Sequence, residues 1–410
     1  SVSVGAFKVS GIDTTQIGEG NAEFLVIATD KAGNTISESE GKTLTLKINQ
    51  DSDRPVISLN TISTDGNTTL SSGTIAGTVS DDDGVKTLEI QVVKKNESVS
   101  DSGWEKVMPN GANWSYTYSN GNKAIDGDYK LYFRITDNAG GVFTSSDTNF
   151  TDTAAKFSCP KINYSGQNEV CSAVSFSIDT YPPAIDIVQY RISSDNSAWS
   201  AWADLGQNTI FGGTEKRYFQ FRLEAHDTVT AQENLVVSAN ISGTDKNFST
   251  TDGKITLNST GEQYNGYYYF ETSVIDASSE IATGSYTLGF DVRDKAEKPS
   301  TQSYQIRVDN TAPDSITIRG YSETTELTGN IVLSGLCSDE SKGNSGVKEL
   351  YYAIPKYTIS APGNISGSEF GEQWETATLE ASGMWEIAIE PEELCVNEAS
   401  GITVKDGFKG

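Results

Sequence analysis

The chain has 410 residues, and its 56 acidic and 30 basic residues give a formal net charge of −26, which argues against nucleic acid or an anionic membrane as a partner. No apolar run reaches the roughly 18 residues of a membrane-spanning helix. Glycine and tyrosine are abundant while methionine and histidine are scarce, and this profile favours strands and turns over helices. At roughly 100–150 residues per domain, the length corresponds to three or four domains.

The first predicted element is a strand that ends at Asp30 and leads into a turn. Its alternating apolar residues are Ala22, Phe24, Val26 and Ala28. A period of two means that one face of the strand is buried and the other is wet. Residues 31–34, Lys-Ala-Gly-Asn, are turn residues suited to a hairpin. We therefore predict that residues 1–54 hold the last two strands, F and G, of a sandwich domain.

A junction of Asp, three residues and Pro divides the rest of the chain into repeats. It occurs at residues 51–55, 179–183 and 309–313, so that the prolines lie 128 and 130 residues apart. Proline lacks a backbone N–H and fits where one strand ends and the next domain begins. The junctions predict two complete domains at residues 55–182 and 183–312. They also predict the first part of a further domain at residues 313–410.

The three repeats carry the same order of apolar segments. The predicted strands are A (56–59, 184–187, 315–318), B (73–81, 219–227, 331–339), C (85–93, 235–241, 347–354) and E (114–118, 267–275, 385–389). Strand F follows at 129–137 and 286–294, and Gly-x-Tyr opens it at Gly127 and Gly284. We predict a long F–G insertion at 138–172 and an A–B insertion at 191–215. The last repeat is predicted to end before its strand F.

The Gly-x-Tyr openings look like the tyrosine corner of immunoglobulin-like sandwiches. Residues 309–313, Asp-Asn-Thr-Ala-Pro, and 30–34, Asp-Lys-Ala-Gly-Asn, resemble the bacterial immunoglobulin-like (Big-type) domain arrays of large cell-surface adhesins and fibres. The resemblance covers essentially the whole chain, but the repeat is long for this family, so each copy carries insertions. The resemblance implies an all-β fold of tandem immunoglobulin-like β-sandwich domains arranged as an elongated rod, located outside the cell or at its surface.

Signals of catalysis are scarce in the sequence. His226 is the only histidine, and its neighbours lack the spacing of the HExxH motif. Neither a GxSxG nucleophile elbow nor a phosphate-binding P-loop occurs. With 56 acidic residues, pairs of carboxylates carry no information about glycoside hydrolysis. We therefore predict that the protein is not an enzyme and that His226 faces solvent at the end of a strand.

Aspartates at strand ends give a sharper chemical signal. In an immunoglobulin-like sandwich the B–C and F–G loops lie where strand A enters, so these aspartates should meet the junction aspartate of the preceding domain. The predicted groups are Asp51, Asp81 and Asp137 with Asp53, Asp82 and Asp83 nearby; Asp179, Asp227 and Asp294; and Asp309 with Asp339. Ca²⁺ takes roughly six to eight oxygen ligands and would offset the repulsion between carboxylates. We predict interdomain Ca²⁺ at these groups; the alternative is that each aspartate caps its own loop.

Four cysteines fall into two local groups, which indicates an oxidising compartment. Cys159 and Cys171 are predicted to form a disulfide that restrains the F–G insertion. Cys337 lies near the end of strand B and Cys395 lies after strand E, at opposite ends of a sandwich. A Cys337–Cys395 bond and a bond from Cys337 to a cysteine on strand F are therefore both open.

Trp199 and Trp202 in the A–B insertion could form a stacking platform for sugar rings. The simpler interpretation places one in the core and the other over the inserted hairpin, because a spacing of three does not put both on one strand face. We predict a structural stalk or spacer that links a binding region to the cell and contacts other domains of the same polypeptide. The alternatives are a module that binds surface glycans or protein receptors through the insertions, and a subunit that self-associates into filaments.

Overall fold

The computed structural model describes residues 8–10, 12, 20–63, 68–121, 124–165, 168–322, 331–339, 345–352 and 375–389. Strands dominate these residues, and the fold is all-β, as the sequence predicts. The helices α1 (Thr153–Lys156) and α2 (Ala277–Glu280) have four residues each, and 3₁₀ turns occur at Gln50–Asp53 and Gln232–Asn234. None of the described helices is long and apolar enough to cross a membrane.

An antiparallel hairpin begins the described structure. Its strands are β1 (Gly20–Val26) and β2 (Lys42–Ile48). Phe24 pairs with Leu44, so alternate apolar residues of both strands share one face. In the turn that follows β1, Asp30 Oδ1 accepts a hydrogen bond from the backbone N–H of Asn34 at 2.9 Å. Strand β1 overlaps the segment that is predicted as strand F.

Residues 56–178 form two sheets that share one core. The strands are β3 (Val56–Ser63), β4 (Thr69–Leu70), β5 (Thr74–Ser80), β6 (Val85–Lys94), β7 (Glu105–Val107), β8 (Asn113–Thr117), β9 (Gly127–Asp137), β10 (Val142–Thr144), β11 (Lys161–Ser165) and β12 (Val174–Ile178). One sheet has the order β11-β3-β5-β8, and the other has the order β4-β12-β9-β6-β7 with β10 added to β9. Predicted strands A, B and E thus share one sheet while C and F lie in the other, the division found in immunoglobulin-like sandwiches.

Residues 184–308 repeat this arrangement. The strands are β13 (Ala184–Ser193), β14 (Ala203–Asp204), β15 (Thr209–Phe211), β16 (Tyr218–His226), β17 (Val236–Ile241), β18 (Asn247–Ser249), β19 (Ile255–Leu257), β20 (Gln263–Tyr264), β21 (Tyr267–Thr272), β22 (Ile275–Asp276), β23 (Gly284–Arg293) and β24 (Pro299–Val308). The sheets have the orders β14-β13-β16-β21-β19 and β15-β24-β23-β17-β18. In each of the two sandwiches a short strand runs parallel to the last strand: β4 to β12, and β15 to β24.

The described part of residues 315–389 reproduces the first of these sheets. Its strands are β25 (Ser315–Arg319), β26 (Ile331–Ser338), β27 (Tyr351–Tyr352), β28 (Glu375–Thr376), β29 (Thr378–Leu379) and β30 (Met384–Ile389). The sheet order β25-β26-β30-β29 again joins the predicted strands A, B and E, and β27 pairs with β28.

The chain divides into two compact units. The first contains Ser1–Pro183, His226–Leu235 and Arg293–Pro299; the second contains Ala184–Ala225, Val236–Val292 and Ser300–Gly410. The domain boundaries at residues 55, 183 and 313 stay predictions.

A recurring pair of residues fills the same place in the three A-B-E sheets. Gly77 of β5 lies opposite Trp114 of β8, and Gly335 of β26 lies opposite Trp385 of β30. At the equivalent position Leu223 of β16 lies opposite Phe270 of β21. A small residue thus accompanies the larger indole, and a larger residue accompanies the smaller phenyl ring.

A tyrosine corner opens both complete strands predicted as F. Tyr129 Oη donates to the carbonyl of Ile125 at 2.7 Å, and Tyr286 Oη donates to the carbonyl of Ala282 at 2.8 Å. The hydroxyl reaches back four residues in each case, as the Gly-x-Tyr openings indicate.

We expect Tyr129→Phe to lower the free energy of unfolding by about 1 kcal/mol, because the ring still packs while the Ile125 carbonyl loses its donor. Tyr286→Phe is the matched control. Its hydrogen bond is exposed, so water can replace the hydroxyl and the loss should be smaller. Urea unfolding measures both variants, and an equal loss would contradict the expectation.

Candidate metal centre

Three aspartates converge where β12, β16 and β23 end. Asp179 directly follows β12, Asp227 follows β16 and Asp294 follows β23. Their carboxylates contribute oxygen atoms that all lie within 4.8 Å of one another. All three residues belong to the first compact unit. The structure thus brings together the aspartates of the second predicted group.

Burial leaves this cluster short of hydrogen-bond donors. Asp179 and Asp294 are 0% and 2% exposed. Asp227 Oδ1 accepts from the backbone N–H of Thr230 at 2.8 Å, and Asp294 Oδ1 accepts from that of Lys298 at 2.9 Å. Among the described residues, Asp179 Oδ1 and Asp294 Oδ2 have no hydrogen-bond partner. Loop capping therefore accounts for Oδ1 of Asp227 and Oδ1 of Asp294, whereas the Asp179 carboxylate accepts, from the described residues, only one long hydrogen bond, from Thr230 Oγ1 to its Oδ2 at 3.4 Å.

The electrostatics of the cluster favour a cation. Burial, followed by the charges of Asp227 and Asp294, raises the pKa of the Asp179 carboxyl to about 7. Burial also raises the pKa of Asp294. Buried like charges are costly until protons or a cation neutralise them. Because Ca²⁺ prefers carboxylate and other oxygen ligands, the donor set of Asp179, Asp227 and Asp294 fits this ion.

We expect the cation-free protein to become less stable as the pH rises towards neutrality. Asp179 titrates near 7 in the folded state, whereas an unperturbed aspartate titrates at about 3.9. The folded state therefore binds the additional proton between these values, so this stabilisation falls progressively above about pH 4 and is fully lost by about pH 7. Melting in chelator at about pH 5 and about pH 8 measures the difference, and Asp179→Asn should reduce it. An undiminished difference in the variant would assign the effect to other groups.

In the first predicted group, Asp51 forms ion pairs with basic residues and does not join the other carboxylates. Arg54 Nη1 lies 2.6 Å from Asp51 Oδ1, and Lys161 Nζ lies 2.8 Å from Asp51 Oδ2. Burial would raise the pKa of Asp51, but the contacts with Lys161 and Arg54 outweigh burial and hold it below the usual value. Asp51 is therefore not among the carboxylates that gather at this junction, because two cations of the same unit hold it.

The carboxylates that lie close together at the first junction belong to exposed residues. Asp53, Asp82 and Asp83 place oxygen atoms within 4.8 Å of one another. Asp81 and Asp137 each have one buried oxygen, Oδ2, without a hydrogen-bond partner in the described part of the chain. Burial raises the pKa of Asp81 to about 6, and the charges of Asp82, Asp137 and Asp53 contribute.

The third group is held by backbone donors. Ser345 N–H donates to Asp309 Oδ2 at 2.7 Å and to Asp339 Oδ2 at 3.0 Å. Burial would raise the pKa of Asp309, but hydrogen bonds from Ser345 and Thr311 outweigh it and hold the pKa below the usual value. This pair fits loop capping better than cation binding.

Arg54, at the first junction, has a role that the sequence analysis does not predict. Its side chain is 0% exposed, and it donates through Nε to the Cys159 carbonyl at 2.8 Å and through Nη1 to Glu169 Oε1 at 3.0 Å. Cys159 is disulfide-bonded to Cys171, with a Cα–Cα distance of 5.8 Å. Arg54 thus ties the disulfide loop to the segment that leads into β3.

The remaining cysteine prediction is untested. Cys337 is buried in β26, and Cys395 lies outside the described residues. A bond between them therefore stays a prediction.

No protein-family model matches the chain, and no curated protein matches it. Solved structures with similarity include titin fragment I67–I69, which is 12% identical with a TM-score of 0.32 over 82% of this chain and 88% of its own. A tetra-tandem repeat from the extending region of a large adhesion protein is 15% identical (TM-score 0.25; 87% and 71% covered). The Escherichia coli adhesin FdeC is 14% identical (TM-score 0.25; 83% and 88% covered). None of these similarities is close enough to assign the chain to a family.

Proposed function

We propose that this chain is a stalk or spacer segment of a large extracellular fibre or adhesin, which holds a binding region at a distance from the cell. The proposal rests on the repetition of one sandwich fold along the chain. Residues 56–178 and 184–308 fold into sandwiches with the same strand order, and the sheet of β25, β26 and β30 repeats it again. Each further sandwich would add roughly 40 Å if its strands run near the axis. The Cys159–Cys171 disulfide supports an oxidising, extracellular compartment.

We further propose that Asp179, Asp227 and Asp294 bind Ca²⁺. The bound ion would connect the chain segment after β12 to the loops after β16 and β23. Two buried oxygens, Asp179 Oδ1 and Asp294 Oδ2, have no donor in the described part of the chain, and this supports the assignment. A joint that is cross-linked in this way resists bending, which is the property that a stalk needs.

Small-angle X-ray scattering of residues 1–410 tests both parts of the proposal. A compact chain of this length would have a radius of gyration of roughly 22 Å, and a stalk should exceed this value clearly. Millimolar calcium should increase the maximum dimension relative to chelator, because fewer bent conformations remain.

The Asp179→Asn/Asp294→Asn double variant should give the chelator profile under both conditions. A compact radius would refute the stalk. A large radius of gyration with a maximum dimension that does not change with calcium would refute only the proposed Ca²⁺ site.

A further inference from the structure

Two tryptophans and two arginines form a continuous stack with Tyr269 in the second sandwich. The guanidinium of Arg191 lies 4.8 Å from the Trp199 ring centroid and 4.6 Å from that of Trp202. Arg222 lies 4.4 Å from Trp202 and 3.8 Å from Tyr269. Both tryptophans are half-buried and flank Arg191. The interpretation that one of them packs in the core is therefore wrong.

A loop held by internal hydrogen bonds positions the first tryptophan. Asp195 Oδ1 accepts from the backbone N–H groups of Ser197 at 2.8 Å and Ala198 at 3.0 Å. Ser200 N–H donates to the carbonyl of Ile192 at 2.9 Å, which returns the chain to β13. Hydrogen bonds to Ala198 and Ser197 hold the pKa of Asp195 well below its usual range. The loop is thus shaped before any ligand arrives.

Arg191 differs from the other described arginines that stack on aromatic rings, because each of those also binds a carboxylate. These pairs are Arg134 with Glu89 (2.7 Å), Arg217 with Asp276 (2.8 Å) and Arg222 with Glu262 (2.8 Å). No described carboxylate lies within ion-pair distance of Arg191. Its Nε and Nη2 both donate to the neutral Gln220 Oε1, at 2.9 and 2.6 Å. The chain has 56 acidic residues, yet among the described residues the half-buried Arg191 is left without an anion.

We propose that Arg191 binds the anionic group of an acidic sugar between Trp199 and Trp202. The two indole rings lie 4.8 and 4.6 Å from the guanidinium, and Gln220 Oε1 already accepts from Nε and Nη2, so an anion must approach from the Nη1 side. Carboxylate and sulfate oxygens accept hydrogen bonds in the guanidinium plane. Trp202 lies between Arg191 and Arg222, so the exposed part of the Trp199 indole is the one that offers apolar surface to the C–H groups of a sugar ring. This site goes beyond the stalk function, since it places ligand recognition on one sandwich.

A glycan array with residues 1–410 tests the site. The probes are oligosaccharides that end in a carboxylated sugar, oligosaccharides that end in an O-sulfated sugar, and their neutral parents. We expect at least one acidic series to bind while its neutral parent does not. The two acidic series show whether carboxylate or sulfate is preferred. If neither acidic series binds, or if the neutral parents bind equally well, the proposal is overturned.

Variants then locate the binding. We expect Arg191→Gln to weaken binding about ten- to a hundred-fold, because a charge-assisted hydrogen bond is lost. Arg191→Lys keeps the charge and serves if the first variant fails to fold; it should weaken binding less. Arg134→Gln is the matched control, because Arg134 also stacks on a tryptophan but is paired with Glu89. Unchanged affinity in a folded Arg191 variant, or an equal loss in the control, would place the ligand elsewhere.

Discussion

Calcium is expected to raise the melting temperature of residues 1–410 by roughly 5–15 °C in the transition that includes the second junction. An ion that binds only the folded state stabilises it by roughly 3–4 kcal/mol at 100 to 1,000 times its dissociation constant. One kcal/mol corresponds to roughly 2–4 °C for compact units of about 200 residues, such as the two of this chain. The measurement is differential scanning calorimetry in calcium and in chelator.

Asp179→Asn separates this expectation from general damage. The variant should lose most of the calcium response because the most buried carboxylate is gone. In chelator at about pH 8, however, it should be at least as stable as the parent, because repulsion from Asp227 and Asp294 is relieved.

Asp51→Asn is the matched control, since Asp51 binds Arg54 and Lys161 rather than the carboxylate clusters. It should keep the full calcium response. If Asp179→Asn keeps the calcium response, the ion does not bind at this cluster.

Gly77→Ala should destabilise the first sandwich by about 3 kcal/mol. A Cβ at Gly77 would lie 1.9 Å from the carbonyl oxygen of Ser58 and 3.0 Å from Trp114 Cζ2. The first of these atoms belongs to the neighbouring strand β3, so backbone must move and the closely packed sheet must separate locally.

Thr78→Ala, at the next residue of β5, should cost less than 1 kcal/mol because this side chain is not on the core face. Urea unfolding gives both values. The same clash recurs at Gly335, where a Cβ would lie 1.7 Å from the Thr317 carbonyl oxygen. A Gly77→Ala midpoint equal to that of the parent would mean that the strands can separate freely.

Most of the predicted strands agree with the structure because their signals are local; an exception is the strand predicted at 347–354, whose described part forms a strand only at Tyr351–Tyr352. Alternation from Tyr129 to Asp137 is readable in a single segment, and strand β9 extends it by only two residues, to Gly127. The parallel pairing of β11 with β3 was not predicted, since it joins an insertion to a strand about 100 residues earlier in the chain.

The candidate sites, too, are predictable from the sequence only where their signals are local. The convergence of Asp179, Asp227 and Asp294 follows from strand ends and fold topology, both of which the sequence indicates. Arg54 was overlooked because two of its partners, Cys159 and Glu169, lie 105 and 115 residues away. The spacing of Trp199 and Trp202 was interpreted as that of a strand, but an Asp195 turn shapes the segment instead. Loop geometry of this kind depends on hydrogen bonds that periodicity does not reveal.

The parallel pairing of β4 with β12, and of β15 with β24, has a mechanical consequence. When the ends of a sandwich are pulled apart, a short strand near its start and the last strand are drawn in opposite directions along their length. The hydrogen bonds between them, such as those around Leu70 and Ile178, then carry the force together in shear. In a hairpin that is opened from one end, by contrast, the hydrogen bonds between the strands would break one after another. Each sandwich therefore contains a pair of strands that is loaded in shear once tension has passed β3 or β13, and we expect a chain under tension to resist unfolding at that pair.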